Sequence, residues 1–169
     1  AGETSIATIE NVDWTVGSEL LVNILGAKDA VQTLNITNST ITKLFGSAQS
    51  LIANTDKTAG TDINITINIE NSKLTQSGGA TDAIEKRSIF YFANKADVTL
   101  NLKGNSALNY APQGSANVAN GLFYLWKTKV VINVESTVSL NLLETGAATK
   151  ENYFVYKYSS GGGTMTITD

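Results

Sequence analysis

Apolar and polar residues alternate one by one in five short segments. They are Leu34-Asn35-Ile36-Thr37, Ile67-Asn68-Ile69-Glu70, Leu100-Asn101-Leu102-Lys103, Ile132-Asn133-Val134-Glu135 and Met165-Thr166-Ile167-Thr168. Period-two alternation rich in β-branched residues predicts strands with one buried and one wet face. The segments start 33, 33, 32 and 33 residues apart, and a weaker copy, Ala7-Thr8-Ile9-Glu10, precedes the first by 27. Near-constant spacing of this kind predicts an internal structural repeat.

The flanks repeat too. Asn11, Asn38, Asn71, Gly104-Asn105, Ser136 and Asp169 follow the copies. Asn, Asp and Gly tolerate left-handed backbone, so these positions predict tight turns. Second strands are expected at Thr40–Leu44, Lys73–Gln76, Ala107–Tyr110 and Val138–Leu142. Third strands, ahead of each copy, are expected at Leu20–Leu25, Leu51–Ala53, Ile89–Phe92, Leu122–Leu125 and Tyr153–Tyr156. Long loops fill Ser77–Ser88, Ala111–Gly121 and Glu144–Asn152. The expected fold is all-β: a parallel β-helix (solenoid) of about five coils of about 33 residues, three strands each, its right hand expected by analogy with parallel crossovers. Ankyrin repeats share the period but need helical spacing, and a β-sandwich has no fixed period.

Stacking the coils places Leu34/Ile36, Ile67/Ile69, Leu100/Leu102, Ile132/Val134 and Met165/Ile167 inward as an aliphatic column. Phe90/Phe92, Phe123/Leu125 and Phe154/Tyr156 are expected to form an aromatic stack beside it. Asn35, Asn68, Asn101 and Asn133 then point outward as an amide ladder, and the turn residues Asn11, Asn38 and Asn71 are placed to bond one another between coils. Glu70, Lys103 and Glu135 alternate in sign along one file and read as cross-strand pairs. Three Asn-X-Thr triplets, at Asn35, Asn38 and Asn64, are chance matches in a chain this rich in Asn and Thr.

Composition narrows the function. Of the 169 residues 42% are apolar and only 16% charged, against about a quarter charged in ordinary domains. The net charge of −3 gives no basic surface for nucleic acid. Without Cys or His, disulfides, thiolate metal sites and the commonest general base are excluded. No apolar run approaches the roughly 18 residues of a membrane span, so this segment is not expected to insert in a membrane.

The Asn turn after an alternating strand, in Leu34–Asn38, Ile67–Asn71 and Leu100–Asn105, resembles the coil pattern of pectate-lyase-like right-handed β-helices. The Asn-, Thr- and Ser-rich character without His or Cys is similar to the adhesive domains of that kind in Gram-positive bacterial surface proteins, over essentially the whole chain. The resemblance implies an extracellular place, on the bacterial cell surface or cell wall, and a non-catalytic role in adhesion or as a stalk, with a host or environmental glycan or protein as partner. Residues 1–169 read as one domain, excised from a longer surface protein.

The alternative is a polysaccharide-binding or polysaccharide-degrading β-helix related to pectate lyases. Such lyases use clustered Asp for Ca²⁺ and an Arg base. The one Arg here, Arg87, stands beside Glu85 and Lys86, and Asp56, Asp62, Asp82 and Asp97 form no dense run. Asn54-Thr55-Asp56 matches one polygalacturonase motif by letters, but the accompanying Asp pair and His are missing. No catalytic residue, metal or cofactor is therefore expected. The candidate ligand-binding residues are Tyr91, Tyr124 and Trp126, expected to face outward, with Lys127 and Lys157 nearby; exposed aromatics stack on sugar rings and anchor interfaces. Trp14 is expected to cover the first coil. An ice-binding flat face would need an unbroken outward Thr rank, and Thr37, Glu70, Lys103, Glu135 and Thr168 break it.

Overall fold

The computed structural model describes residues 2–17, 21–44, 50–55, 62–79, 88–92, 95–113, 120–143, 152–157 and 163–169. Among them the chain makes strands and no helix, so no helix is long and apolar enough to cross a membrane. The strands run β1 (Thr4–Glu10), β2 (Asp13–Val16), β3 (Val22–Asn23), β4 (Val31–Thr37), β5 (Thr40–Leu44), β6 (Ile52–Asn54), β7 (Ile63–Glu70) and β8 (Lys73–Gly79). They continue with β9 (Phe90–Phe92), β10 (Ala96–Lys103), β11 (Ala107–Gln113), β12 (Asn120–Leu125), β13 (Lys129–Val134), β14 (Ser139–Leu142), β15 (Asn152–Lys157) and β16 (Thr164–Thr168). Every third strand joins the same sheet. The first sheet is β1-β4-β7-β10-β13-β16, the second β14-β11-β8-β5-β2 and the third β15-β12-β9-β6-β3. All pairings are parallel. The chain is thus a parallel β-solenoid with three sheets, each strand lying about 4.8 Å from its counterpart.

The core lies between the three sheets, and the inward side of the first contributes its aliphatic column. Leu34, Ile67, Leu100 and Ile132 lie in one file, and Ile36, Ile69 and Leu102 in the next, all buried. Each side chain contributes roughly 1.5–3 kcal/mol before its entropy cost. The last strand departs from the expected alignment. Ile167, not Met165, lies beside Ile132, and Met165 lies beside Val130. A two-residue shift keeps both on the inward face, because side chains alternate with period two. Ile167 is nevertheless 49% exposed, and Trp14, expected to cover the first coil, is 45% exposed.

The third sheet also shifts. Val155 lies beside Phe123 and Tyr156 beside Tyr124. Phe154 is one residue out of the expected file, and it meets Phe123 edge-on at 5.6 Å between ring centroids. Phe90 and Phe123 stack at 5.1 Å, and Phe90 and Phe92 at 6.0 Å.

The corners between first and second sheets explain the turn residues. Asn11, Asn38, Asn71 and Gly104 all adopt left-handed backbone, with φ of 55°, 49°, 48° and 59°. This lets each corner turn within two or three residues. Ser136 differs: its corner has no left-handed residue and closes through the Val138 N–H donating to the Glu135 carbonyl at 3.0 Å. Asn11, Asn38 and Asn71 do not bond one another side chain to side chain. A buried file of serines that follows the corner Asn residues, Ser39, Ser72 and Ser106, links the coils instead. The Ser39 N–H donates to Ser72 Oγ at 3.0 Å and the Ser72 N–H to Ser106 Oγ at 3.3 Å. Each hydroxyl in turn donates to a carbonyl of its own corner: Thr37, Glu70 and Lys103, respectively.

On the outward side the Asn ladder is continuous. Asn68, Asn101 and Asn133 each donate an amide N–H to the preceding Asn oxygen at 2.8, 2.7 and 2.7 Å. Asn35 donates to Thr8 at 3.5 Å and Thr168 donates to Asn133 at 2.8 Å, which extends the ladder across all six strands. The expected Glu70, Lys103 and Glu135 ion pairs do not form; the Glu135 carboxylate accepts from the Gly104 N–H at 2.8 Å. Among the described residues the ion pairs are Asp62–Lys95 (2.9 Å) and Asp97–Lys129 (3.7 Å). Of the loops expected at Ser77–Ser88, Ala111–Gly121 and Glu144–Asn152, the ends Ser77–Gly79, Ala111–Gln113, Asn120–Gly121 and Asn152 are strand instead, and most of the rest lies outside the described residues, as do Arg87, Asp56 and Asp82.

Candidate functional site

The third sheet carries aromatics on both faces. Phe90, Phe92, Phe123 and Leu125 join the main core, while Tyr91 and Tyr124 form a second apolar cluster with Ala53, against which Trp126 packs. The two tyrosine rings lie 4.7 Å apart. They are opposite in direction to the phenylalanines, as alternation requires, but they are not a surface. Tyr91 is 5% exposed and Tyr124 2%. The expectation that they are open to a ligand is therefore corrected: the outward face of this strand is covered. Trp126 is half-buried, and Lys127 and Lys157 are exposed.

What remains open lies at the corner between third and first sheets. After β12, the Trp126 N–H donates to the Phe92 carbonyl at 2.8 Å. Lys127 then takes φ of 60°, and Thr128 is fully buried, its hydroxyl near the carbonyls of Phe92 (3.3 Å) and Trp126 (3.2 Å). At the corners between first and second sheets the left-handed position is held by Asn or Gly, for which it costs little. A lysine there pays about 1–2 kcal/mol in backbone sterics. Its Nζ sits 5.2 Å from the Trp126 ring centroid, within cation–π range.

A cleft of about 530 Å³ opens at this corner, lined by Asp62, Lys95, Ala96, Asp97, Lys127 and Lys129. Register explains the grouping. Asn64, Asp97 and Lys129 are successive partners on β7, β10 and β13, which places Asp62, Lys95 and Lys127 two residues upstream of each. Asp62 pairs with Lys95 and Asp97 with Lys129, so both carboxylates are matched by ammonium groups. Lys127 adds a cation without such a partner among the described residues. The rim is thus weakly cationic, and Lys127 on it lies over the ring of Trp126, which does not itself line the cleft; ammonium groups of this kind fit a carboxylated or hydroxyl-rich ligand. Lys157 lies beside Leu125 in register and is not among the residues that line the cleft.

Two features were not anticipated from sequence. One is the serine file. The other is an interior polar file on the second sheet, where Lys43, Gln76 and Tyr110 are register partners and all fully buried. The signal was present: each lies two residues after an inward aliphatic, Ile41, Leu74 or Leu108, so its side chain shares that face. The Asn54-Thr55 pair is structural. Asn54 is buried and donates to the Ile24 carbonyl at 3.0 Å, and Thr55 bonds to Asn23. Among the described residues no three His, Cys, Asp or Glu side chains are grouped to hold a metal ion. Neither a family model, nor a curated protein, nor a solved structure matches this chain.

Proposed function

We propose that the chain is a non-catalytic extracellular module, of the pectate-lyase-like adhesive kind, that serves as an adhesive stalk on a bacterial cell surface or wall. In this reading the solenoid is right-handed and five coils long, and it binds a glycan or protein ligand at the Trp126–Lys127 corner. The observation that carries it is how the polar side chains are used. The Asn35–Asn68–Asn101–Asn133 ladder, the serine file and the Asn54 amide all bond within the stack. Residues that could do chemistry elsewhere here stiffen a rod, and exposed Lys127 over the half-buried Trp126 ring is the aromatic-cationic pair that would meet the ligand.

The test is a glycan array, including acidic polysaccharides, probed with the wild-type chain, Trp126→Ala and Lys127→Ala. The expected result is binding by the wild type that both variants lose. Binding unchanged in both variants removes the corner as the site. Turnover of a polyuronic acid by the wild type overturns the non-catalytic reading.

A further inference from the structure

Two outward files of the first sheet stand side by side along its whole width. One is Ile6, Thr33, Thr66, Thr99, Val131 and Thr166; the other is Thr8, Asn35, Asn68, Asn101, Asn133 and Thr168. The file Thr37, Glu70, Lys103 is broken, but it runs at the edge of this band. A more regular rank lies four residues upstream of it: four of its six members are Thr, and although Ile6 and Val131 interrupt the hydroxyls, a β-branched methyl stands at all six positions. We propose that this two-rank face binds ice.

Rungs repeat about every 4.8 Å along the stack, and the two ranks are about 6.6 Å apart, twice the strand rise. The band carries no charge and no aromatic ring; charged groups stand in the flanking files at Asp97 and Lys129 on one side and Glu70 and Lys103 on the other. Strongly hydrated charges keep their own water and would not fit a lattice of water, whereas amides and hydroxyls can occupy lattice hydrogen-bonding positions. In the ladder each Asn uses one N–H and one lone pair of its oxygen, which leaves one of each for a ligand. The Thr hydroxyls are outside that ladder, and every member of their rank carries a β-branched methyl. The ladder fixes the amides, so a periodic partner meets many preorganised weak contacts at once, and they add. A small dissolved molecule meets only one or two rungs. With no ring to stack on a sugar face, the band suits solid water better than a glycan, and it shares no residue with the Trp126–Lys127 corner.

The test is retention of the fluorescently labelled chain by a slowly growing ice front, with inhibition of ice recrystallisation as a second readout. Thr66→Lys places a charge mid-rank. Thr40→Lys does the same at an exposed position of the second sheet. The wild type and Thr40→Lys should be retained, and Thr66→Lys should lose about tenfold or more. If Thr66→Lys is unfolded by circular dichroism, Thr166→Lys, at an exposed position of the same rank, supplies the comparison. Rejection of the wild type from ice overturns the proposal, and so does full retention of a folded rank variant. Rank-dependent binding to crystalline chitin or cellulose, with rejection from ice, also overturns it and assigns the face to a glycan. The glycan-array result at Trp126 is independent of all of these outcomes.

Discussion

Replacing Ser72 with alanine removes one hydroxyl from the middle of the buried serine file. The loss can be followed bond by bond. Ser72 Oγ accepts from the Ser39 N–H at 3.0 Å and donates to the Glu70 carbonyl at 2.8 Å. The Glu70 carbonyl keeps a second partner, the Asn38 N–H at 3.1 Å, so it is not orphaned. The Ser39 N–H has no such reserve. Ser39 and Ser72 are both buried, so water does not replace the lost acceptor. A buried unsatisfied donor costs about 1–3 kcal/mol, and near 2 kcal/mol a chain of this size melts about 4–8 °C lower. Asn68→Ala, in the outward ladder, removes two hydrogen bonds rather than one good acceptor. Its partners are half-exposed and turn to water, so the expected cost is below about 1 kcal/mol. Thermal melts followed by circular dichroism rank the two variants, and hydrogen exchange at the Ser39 amide locates the defect. A Ser72→Ala melt within about 1 °C of wild type, or a larger effect from Asn68→Ala, refutes the reasoning.

Gly104→Ala forces a Cβ into a residue with φ of +59° and against Asn71 Oδ1, which accepts from the Asn105 N–H. The backbone cost alone is about 1–2 kcal/mol, so a chemical-denaturation midpoint unchanged from wild type contradicts the corner geometry. Lys127→Gly should do the opposite. Relief of left-handed strain, less the added chain entropy of glycine, raises stability by up to about 1 kcal/mol, while retention on any acidic glycan that the array identifies falls. A variant that melts lower and binds as before shows that Lys127 is neither strained nor at the site.

The solenoid was legible because two signals coincide. Alternation in Ile67–Glu70 and Leu100–Lys103 gives the strand, and the 33-residue spacing says that the strands stack. The left-handed corners between the first and second sheets were legible because Asn and Gly take that backbone cheaply, and the chain has them at 11, 38, 71 and 104, whereas the left-handed Asp29 and Lys127 carried no such signal. The register of the last strand was not. Sliding Met165-Thr166-Ile167 by two residues changes no residue's face, so alternation cannot detect it. The third sheet hid its faces for the opposite reason. Ile89, Phe90, Tyr91 and Phe92 are apolar without interruption and all buried, so nothing in the pattern marks the outward residue as covered. Lys43 and Gln76 illustrate a conflict of signals: their parity points inward while their chemistry points to solvent, and parity prevailed. Of the candidate site, Trp126 and Lys127 were singled out by residue type. The carboxylates and lysines around them were not, because only register gathers Asp62, Lys95 and Lys129 at one corner.

Parallel stacking also dictates how the molecule responds to load. β1 and β16 are opposite edges of one sheet, so a tug between them runs in line with the bonds that join neighbouring coils. Such bonds open in sequence, as a zip fastener does, rather than sharing the force as they would in shear. Each of the regular coils holds 32 or 33 residues and would pay out roughly 110 Å of slack when it lets go. A force–extension trace would then be a low sawtooth of even teeth. Mechanically, the rod is less a strut than a shock absorber that yields by instalments.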